Sequence, residues 1–346
     1  MNPMVWALLI TGLSTSTIIV MASHHWLLAW LGLELNTLSI LPLIMKPHHP
    51  RATEATTKYF LVQALAAALL LFGSSLNVWQ TGQWSTTHLN TPLATGMITA
   101  ALALKLALAP AHLWYIEVMQ GASTTMALII TTWQKIAPLT LLYVTLNHLS
   151  MTTLLCLGLL STTIGAWTGL NQTQMRKILA SSSIAHMGWL IVALTLQHSL
   201  ATLTMITYLI LTTALFMTIT TTATKTIQDL GTTWSTAPPL LATTLITTMS
   251  LGGLPPLTGF MPKWLILKEL TLHNLLPFST ALALTTLPSL YFYIRMAYFI
   301  TLTTPPNTTN TEQTWRFTTT HSTGLPQMLI ITTMMLPLTP LYYMST

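Results

Sequence analysis

Charge is what this sequence has least of. Only 5% of its 346 residues are Asp, Glu, Lys or Arg, while 52% are hydrophobic; an ordinary soluble domain is about 25% charged. A chain so poor in charge cannot cover a globular surface with polar groups, so lipid is its expected solvent. Cysteine is almost absent. The single Cys156, inside the apolar run LLCLGLL, excludes an internal disulfide and a cysteine-held iron–sulfur cluster. Acidic residues number six against twelve basic ones, a formal charge of +6. The basic residues are scattered between apolar runs, however, which excludes nucleic acid as a partner. No GxGxxG joins a strand to a helix, so no nucleotide site is expected. The pairs His24–His25 and His48–His49 are adjacent and would diverge along a helix, making weak metal ligands, and His186 has no evident second axial histidine for haem. The N-terminus shows neither a basic region nor a cleavage site, so no removable signal peptide is expected.

Long apolar runs are what the chain has instead. A bilayer core of about 30 Å needs about 20 apolar residues per helix. On that ruler the chain reads as an all-α polytopic membrane domain of eleven spans, near 3–21, 25–45, 59–78, 93–119, 122–146, 150–170, 177–196, 200–222, 237–271, 276–299 and 325–343. The polar stretch KPHHPRATEATTK, 46–58, reads as a loop, with Glu54 and Lys58 as solvated loop ends and Glu117 facing a loop. With this count Lys46, Arg51, Lys58, Arg176, Lys177, Lys225, Arg295 and Arg316 fall on the N-terminal side and only Lys268 opposite. That bias makes the N-terminal side the inside. Lys105, Lys135 and Lys263 fall in no loop.

Two spans carry the marks of a break. In MITAALALKLALAPAHLW (97–114) Lys105 stands mid-run, followed by Pro110, His112 and Trp114. A charge at the centre of a span costs about 2.5–3.5 kcal/mol on insertion scales, and proline removes a helix donor. The ninth span, too long for one crossing, repeats the pattern in SLGGLPPLTGFMPKW (250–264), where Lys263 follows the glycines and prolines. Interrupted helices in corresponding places point to an ion pathway. Their spacing of five spans predicts two repeats, about 1–148 and 149–300, inverted because each has an odd number of spans, with 325–343 as an extra helix.

Five ionisable residues sit near span centres or breaks: Glu34 in WLGLELN, Lys105, Lys135 in TWQKIAPL, Lys263, and His186 in SSSIAHMGW. Burial and neighbouring charge set the protonation of such groups, so a row of them at one depth makes a lateral chain of proton sites. Each also has a plainer reading. Glu34 and Lys105 could lock helix packing as a buried pair, Lys263 could snorkel to the interface, His186 could be a core histidine, and His112 could hydrogen-bond carbonyls freed by the break. The richness in threonine, methionine and leucine has no folding explanation in the sequence; it is similar to the bias of hydrophobic proteins encoded by mitochondrial genomes.

The runs WLGLELN, EATTKYFLVQALAAALLLFG, LKLALAPAHLW, RKILASSSIAHMGW and SLGGLPPLTGFMPKW resemble the antiporter-like membrane subunits of respiratory complex I over nearly the whole chain. The resemblance implies a proton-translocation pathway carried by Glu34, Lys105, the connecting Lys135 and the terminal Lys263, with His112 and His186 in support. It implies no cofactor on this chain, with NADH, FMN, iron–sulfur clusters and ubiquinone in the rest of the complex. It also implies the mitochondrial inner membrane with the N-terminus on the matrix side. The implied partners are other membrane-arm subunits, accessory subunits and lipids such as cardiolipin. Two departures from the family pattern stand out: larger members begin with about three further helices, and Ala111 stands where an aromatic is common. A cation/proton antiporter subunit and a structural spacer without transport are the competing readings.

Overall fold

The computed structural model describes residues 3–235, 238–302, 324–334 and 336–338. Helices make up nearly all of it, and the described residues contain no strand beyond two isolated bridges. The chain divides into two compact units, Met1–Leu157 and Gly158–Thr346. Among the described residues, seven helical segments are long and apolar enough to cross a membrane.

The first unit holds α1 (Pro3–Ala22), α2 (Trp26–Met45), α3 (Pro50–Thr81), α4 (Pro92–Leu106), α5 (Leu113–Gly121), α6 (Thr124–Thr131) and α7 (Ile136–Thr145). A 3-10 turn, Trp133–Lys135, separates α6 from α7, and α8 (Met151–Gly169) starts here and ends in the second unit. Helix α3 lies against α2, α4 and α5, while α1 lies against α2 and α7. Large apolar side chains face outward, Trp79 being 84% exposed, as expected where lipid is the solvent.

The second unit holds α9 (Met175–Leu196), α10 (His198–Thr222), α11 (Ile227–Thr232), α12 (Pro238–Gly252), α13 (Phe260–Leu272), α14 (Leu276–Leu302) and α15 (Leu325–Met334). Helix α9 is its centre, touched by α10, α13 and α14. The last expected span runs past α15 into a 3-10 turn, Leu336–Leu338; residues 335 and 339–343, like Arg316, lie outside the described residues.

Two elements differ from the sequence reading. Residues 50–58 are helix, not loop, and α3 extends over 32 residues, about 48 Å at 1.5 Å per residue. Pro50 opens α3 and the His49 ring accepts the Arg51 N–H at 3.2 Å. Proline at the first helical position and a side-chain acceptor before it are strong start signals. His25 caps α2 in the same way, through Leu27 N–H at 3.2 Å. The members of the histidine pairs that act locally are thus helix caps. Glu54 and Lys58 therefore sit on a helix, and Glu117 sits on α5 and pairs with Lys58 rather than facing a loop. The fifth span is interrupted at the 3-10 turn that contains Lys135. Pro138 supplies the reason, since it has no N–H for the Gln134 carbonyl and its ring crowds that carbonyl.

The threonines also find an account. Thr15, Thr207, Thr212 and Thr218 donate to carbonyls three or four residues back in their own helices. A hydroxyl satisfied inside its own helix needs no partner from lipid.

Candidate functional site

The break in the fourth span lies at 107–112. Helix α4 ends in a left-handed Ala107 (φ 58°), whose N–H reaches back to Ala103 and Leu104, and Leu108 N–H donates to Ala103 at 2.9 Å. The Ala109–Pro110 peptide is cis. Lys105 thus occupies the last turn of α4, where unsatisfied carbonyls and the helix dipole favour a cation. His112 precedes α5; its Nδ1 lies 3.1 Å from the Pro110 carbonyl, and its buried Nε2 has no hydrogen-bond partner.

Lys105 and Lys135 line one cavity with about 380 Å³ of empty space. Both are buried, at 7% and 3% exposure. Lys105 Nζ donates to Gln63 Oε1 on α3 at 3.5 Å, inside the protein. Lys135 Nζ stands 5.0 Å from the centre of the Tyr115 ring, a distance at which the ring face attracts a cation. On the same wall Gln134 Nε2 donates to Asn36 Oδ1 at 3.0 Å. Glu34 acts on Lys105 through its charge, and its Oε2 is buried without a hydrogen-bond partner. Among the described residues the ion pairs within 4 Å both belong to Lys58, with Glu54 and Glu117. The amides Asn36, Gln63 and Gln134 escaped the sequence reading. Their signal was present, because an amide in an apolar span is costly unless partnered.

In the second unit the break covers 253–259. Gly253 takes φ +86°, a backbone region that L side chains rarely adopt, and a Cβ there would stand 3.0 Å from Lys263 Nζ. A Cβ on Gly259 would collide with the Ser250 carbonyl, so the two halves meet backbone to backbone. Lys263 Nζ donates to the carbonyls of Gly252 at 3.0 Å and Leu251 at 3.5 Å, the open end of α12. Lys263 and His186 line a second cavity with about 370 Å³ of empty space, together with Thr204, Thr207 and Tyr208. The hydroxyl of Tyr293 lies 3.4 Å from His186 Nε2. The six residues expected from the sequence therefore fall at two places. Glu34, Lys105, Lys135 and His112 belong to the first unit, and His186 and Lys263 to the second.

Comparison with known proteins places these features in context. The family described as NADH:quinone oxidoreductase/Mrp antiporter, TM, matches residues 23–288, and that described as NADH dehydrogenase subunit 2 C-terminus matches residues 290–343. NADH-ubiquinone oxidoreductase chain 2 of Carassius auratus is 53% identical over 341 residues, 98% of each chain. Its counterpart in Xenopus laevis is 49% identical over 342 residues, 99% of each chain. A chain of respiratory complex I from Thermus thermophilus with bound aureothin superposes with a TM-score of 0.82 at 26% identity, over 99% of this chain and 78% of that one. A chain of the Mrp complex from Dietzia sp. DQ12-45-1b shares the fold at 18% identity, with a TM-score of 0.76 over 84% of this chain and 60% of that one.

Proposed function

The chain belongs to the NADH:quinone oxidoreductase/Mrp antiporter family, and from that membership we propose that Glu34, Lys105, Lys135 and Lys263 are its proton-transfer groups. The chain is a membrane subunit of NADH-ubiquinone oxidoreductase, a proton-translocating complex whose cofactors sit in other subunits. The observation that carries the assignment is the cavity shared by Lys105 and Lys135. Water in that cavity would link the two ammonium groups, and Gln63, Asn36 and Gln134 would hydrogen-bond it.

Redox energy released elsewhere in the complex changes the charge or hydration along this row. Moving one charge against 100 mV costs about 2.3 kcal/mol, so access to the row must be gated, and the breaks at 107–112 and 253–259 are the gates. His112 offers an unpartnered ring nitrogen at the first break, and His186 extends the chemistry toward Lys263 at the second. The matching breaks, five spans apart, support an inverted repeat, about 1–148 and 149–300. The bias of basic residues supports an N-terminus on the matrix side of the mitochondrial inner membrane. Neighbouring membrane-arm subunits, accessory subunits and lipids such as cardiolipin cover the apolar exterior. NADH, FMN, iron–sulfur clusters and ubiquinone are the cofactors that the other subunits bring.

The test is Lys105→Met in the assembled complex, reconstituted into vesicles. Most of the proton pumping per NADH oxidised is expected to disappear, with the complex still intact on a native gel. Pumping at the wild-type ratio overturns the assignment.

A further inference from the structure

Gln63 has no role in a row made only of charged groups. It lies in FLVQALAAALLL on α3 and is 4% exposed. Burying an amide without a partner costs about 1–3 kcal/mol on mutational scales, so its partner is informative. That partner is Lys105, whose Nζ donates to Oε1 at 3.5 Å. Lys105 feels the charge of Glu34 but is not in ion-pair contact with it, since both ion pairs among the described residues are made by Lys58. Glu34 Oε2 is buried and open. The ammonium therefore rests on a neutral oxygen while the Glu34 carboxylate has no ion-pair partner among the described residues.

The chemistry of the two acceptors differs. An ammonium bonded to an amide oxygen is charge-assisted from the donor side alone, whereas an ammonium on a carboxylate is a buried ion pair, costly to break from one side. An amide oxygen accepts from the ammonium and from the neutral amine alike, and at 3.5 Å it holds either loosely. We propose that Gln63 is a positioning residue for proton transfer at Lys105: its amide oxygen is the resting acceptor that holds the lysine apart from Glu34, so that the Glu34–Lys105 pair forms and opens within the cycle. The inference rests on the assignment of Lys105 as a proton-transfer group. The titratable groups that share the cavity with Gln63 are Lys105, Lys135, Tyr59 and Tyr115.

The experiment compares Gln63→Glu, Gln63→Leu and Lys105→Met in the intact complex in vesicles, measuring protons pumped per NADH oxidised between pH 6 and 8. A carboxylate at position 63 turns the ammonium–amide hydrogen bond into a buried ion pair, expected to hold the lysine about tenfold more tightly. The Gln63→Glu complex is expected to pump about tenfold less across the range, because a carboxylate paired with the ammonium stays ionised. Gln63→Leu, with no acceptor, should pump poorly at every pH. Wild-type pumping across the range by either assembled variant overturns the inference. Failure of both to assemble also overturns it, leaving Gln63 a packing residue. If Lys105→Met is inactive while Gln63→Glu matches wild type, only the Gln63 inference falls. Normal pumping by Lys105→Met removes the assignment beneath it.

Discussion

Lys263 Nζ lies 3.0 Å from the carbonyl oxygen of Gly252, reaching from α13 across the break to the open end of α12. Lys105 occupies the last turn of α4, the equivalent end of the other broken span. At each break a lysine thus stands at the open carbonyl end of a half-helix, where the dipole favours a cation; Lys263 donates to those carbonyls, whereas Lys105 donates to the Gln63 amide oxygen.

Lys263→Met and Lys263→Arg separate capping from proton transfer. Methionine leaves the Leu251 and Gly252 carbonyls without their donor, at about 1–3 kcal/mol. Arginine keeps a donor there but does not release its proton. Thermal unfolding of the purified complex should fall for Lys263→Met and stay near wild type for Lys263→Arg, while both lose pumping. A pumping Lys263→Arg complex would contradict the role given to Lys263.

Pro138→Ala restores an N–H to the Gln134 carbonyl and removes the clash that splits α6 from α7. A continuous helix advances about 100° per residue and a 3-10 turn about 120°, so Lys135 turns off the Tyr115 face. The expected result is unchanged or raised thermal stability together with reduced pumping. Equal pumping would mean that the 3-10 turn does not position Lys135.

The Lys58 pairs with Glu54 and Glu117, each at 2.5 Å, join exposed side chains. Exposed pairs of this kind contribute little and are screened by salt. Lys58→Met should leave the unfolding temperature within error at physiological salt. A clear drop would assign Lys58 a part in docking α5 onto α3.

Asp229 closes a capping box with Thr226 ahead of α11. The backbone N–H groups of Thr226 and Lys225 donate to its carboxylate at 2.8 and 3.0 Å and hold it below the usual range. A lowered carboxylate pKa stabilises the folded loop above the ordinary value of about 3.9. That contribution is lost as pH falls through the lower folded value. Asp229→Ala should remove about 1 kcal/mol of local stability and speed amide hydrogen exchange at 225–229 at neutral pH. Unchanged exchange would show that the turn is held by other contacts.

Much of the architecture was legible because the membrane constrains it. Apolar length marked the helices, and a lysine beside proline in the fourth span, and beside glycines and prolines in the ninth, marked the two broken spans. The start of α3 is hidden from hydropathy because KPHHPRATEATTK is polar, and polarity alone predicts a loop. Helix starts obey capping chemistry rather than hydropathy, and His49–Pro50 carried that signal. Pro138 likewise announced the interruption at Lys135, but the apolar run around it read as one span.

The sequence alone determined that lipid is the solvent, that the fold is helical, and which charges are stranded in apolar spans, because each follows from composition and spacing along the chain. Only the tertiary structure decided which groups meet. Gln63 lies 42 residues from Lys105, and Asn36 lies 98 residues from Gln134. A hydrogen bond across such separations depends on the rotation and register of packed helices, which no local pattern encodes.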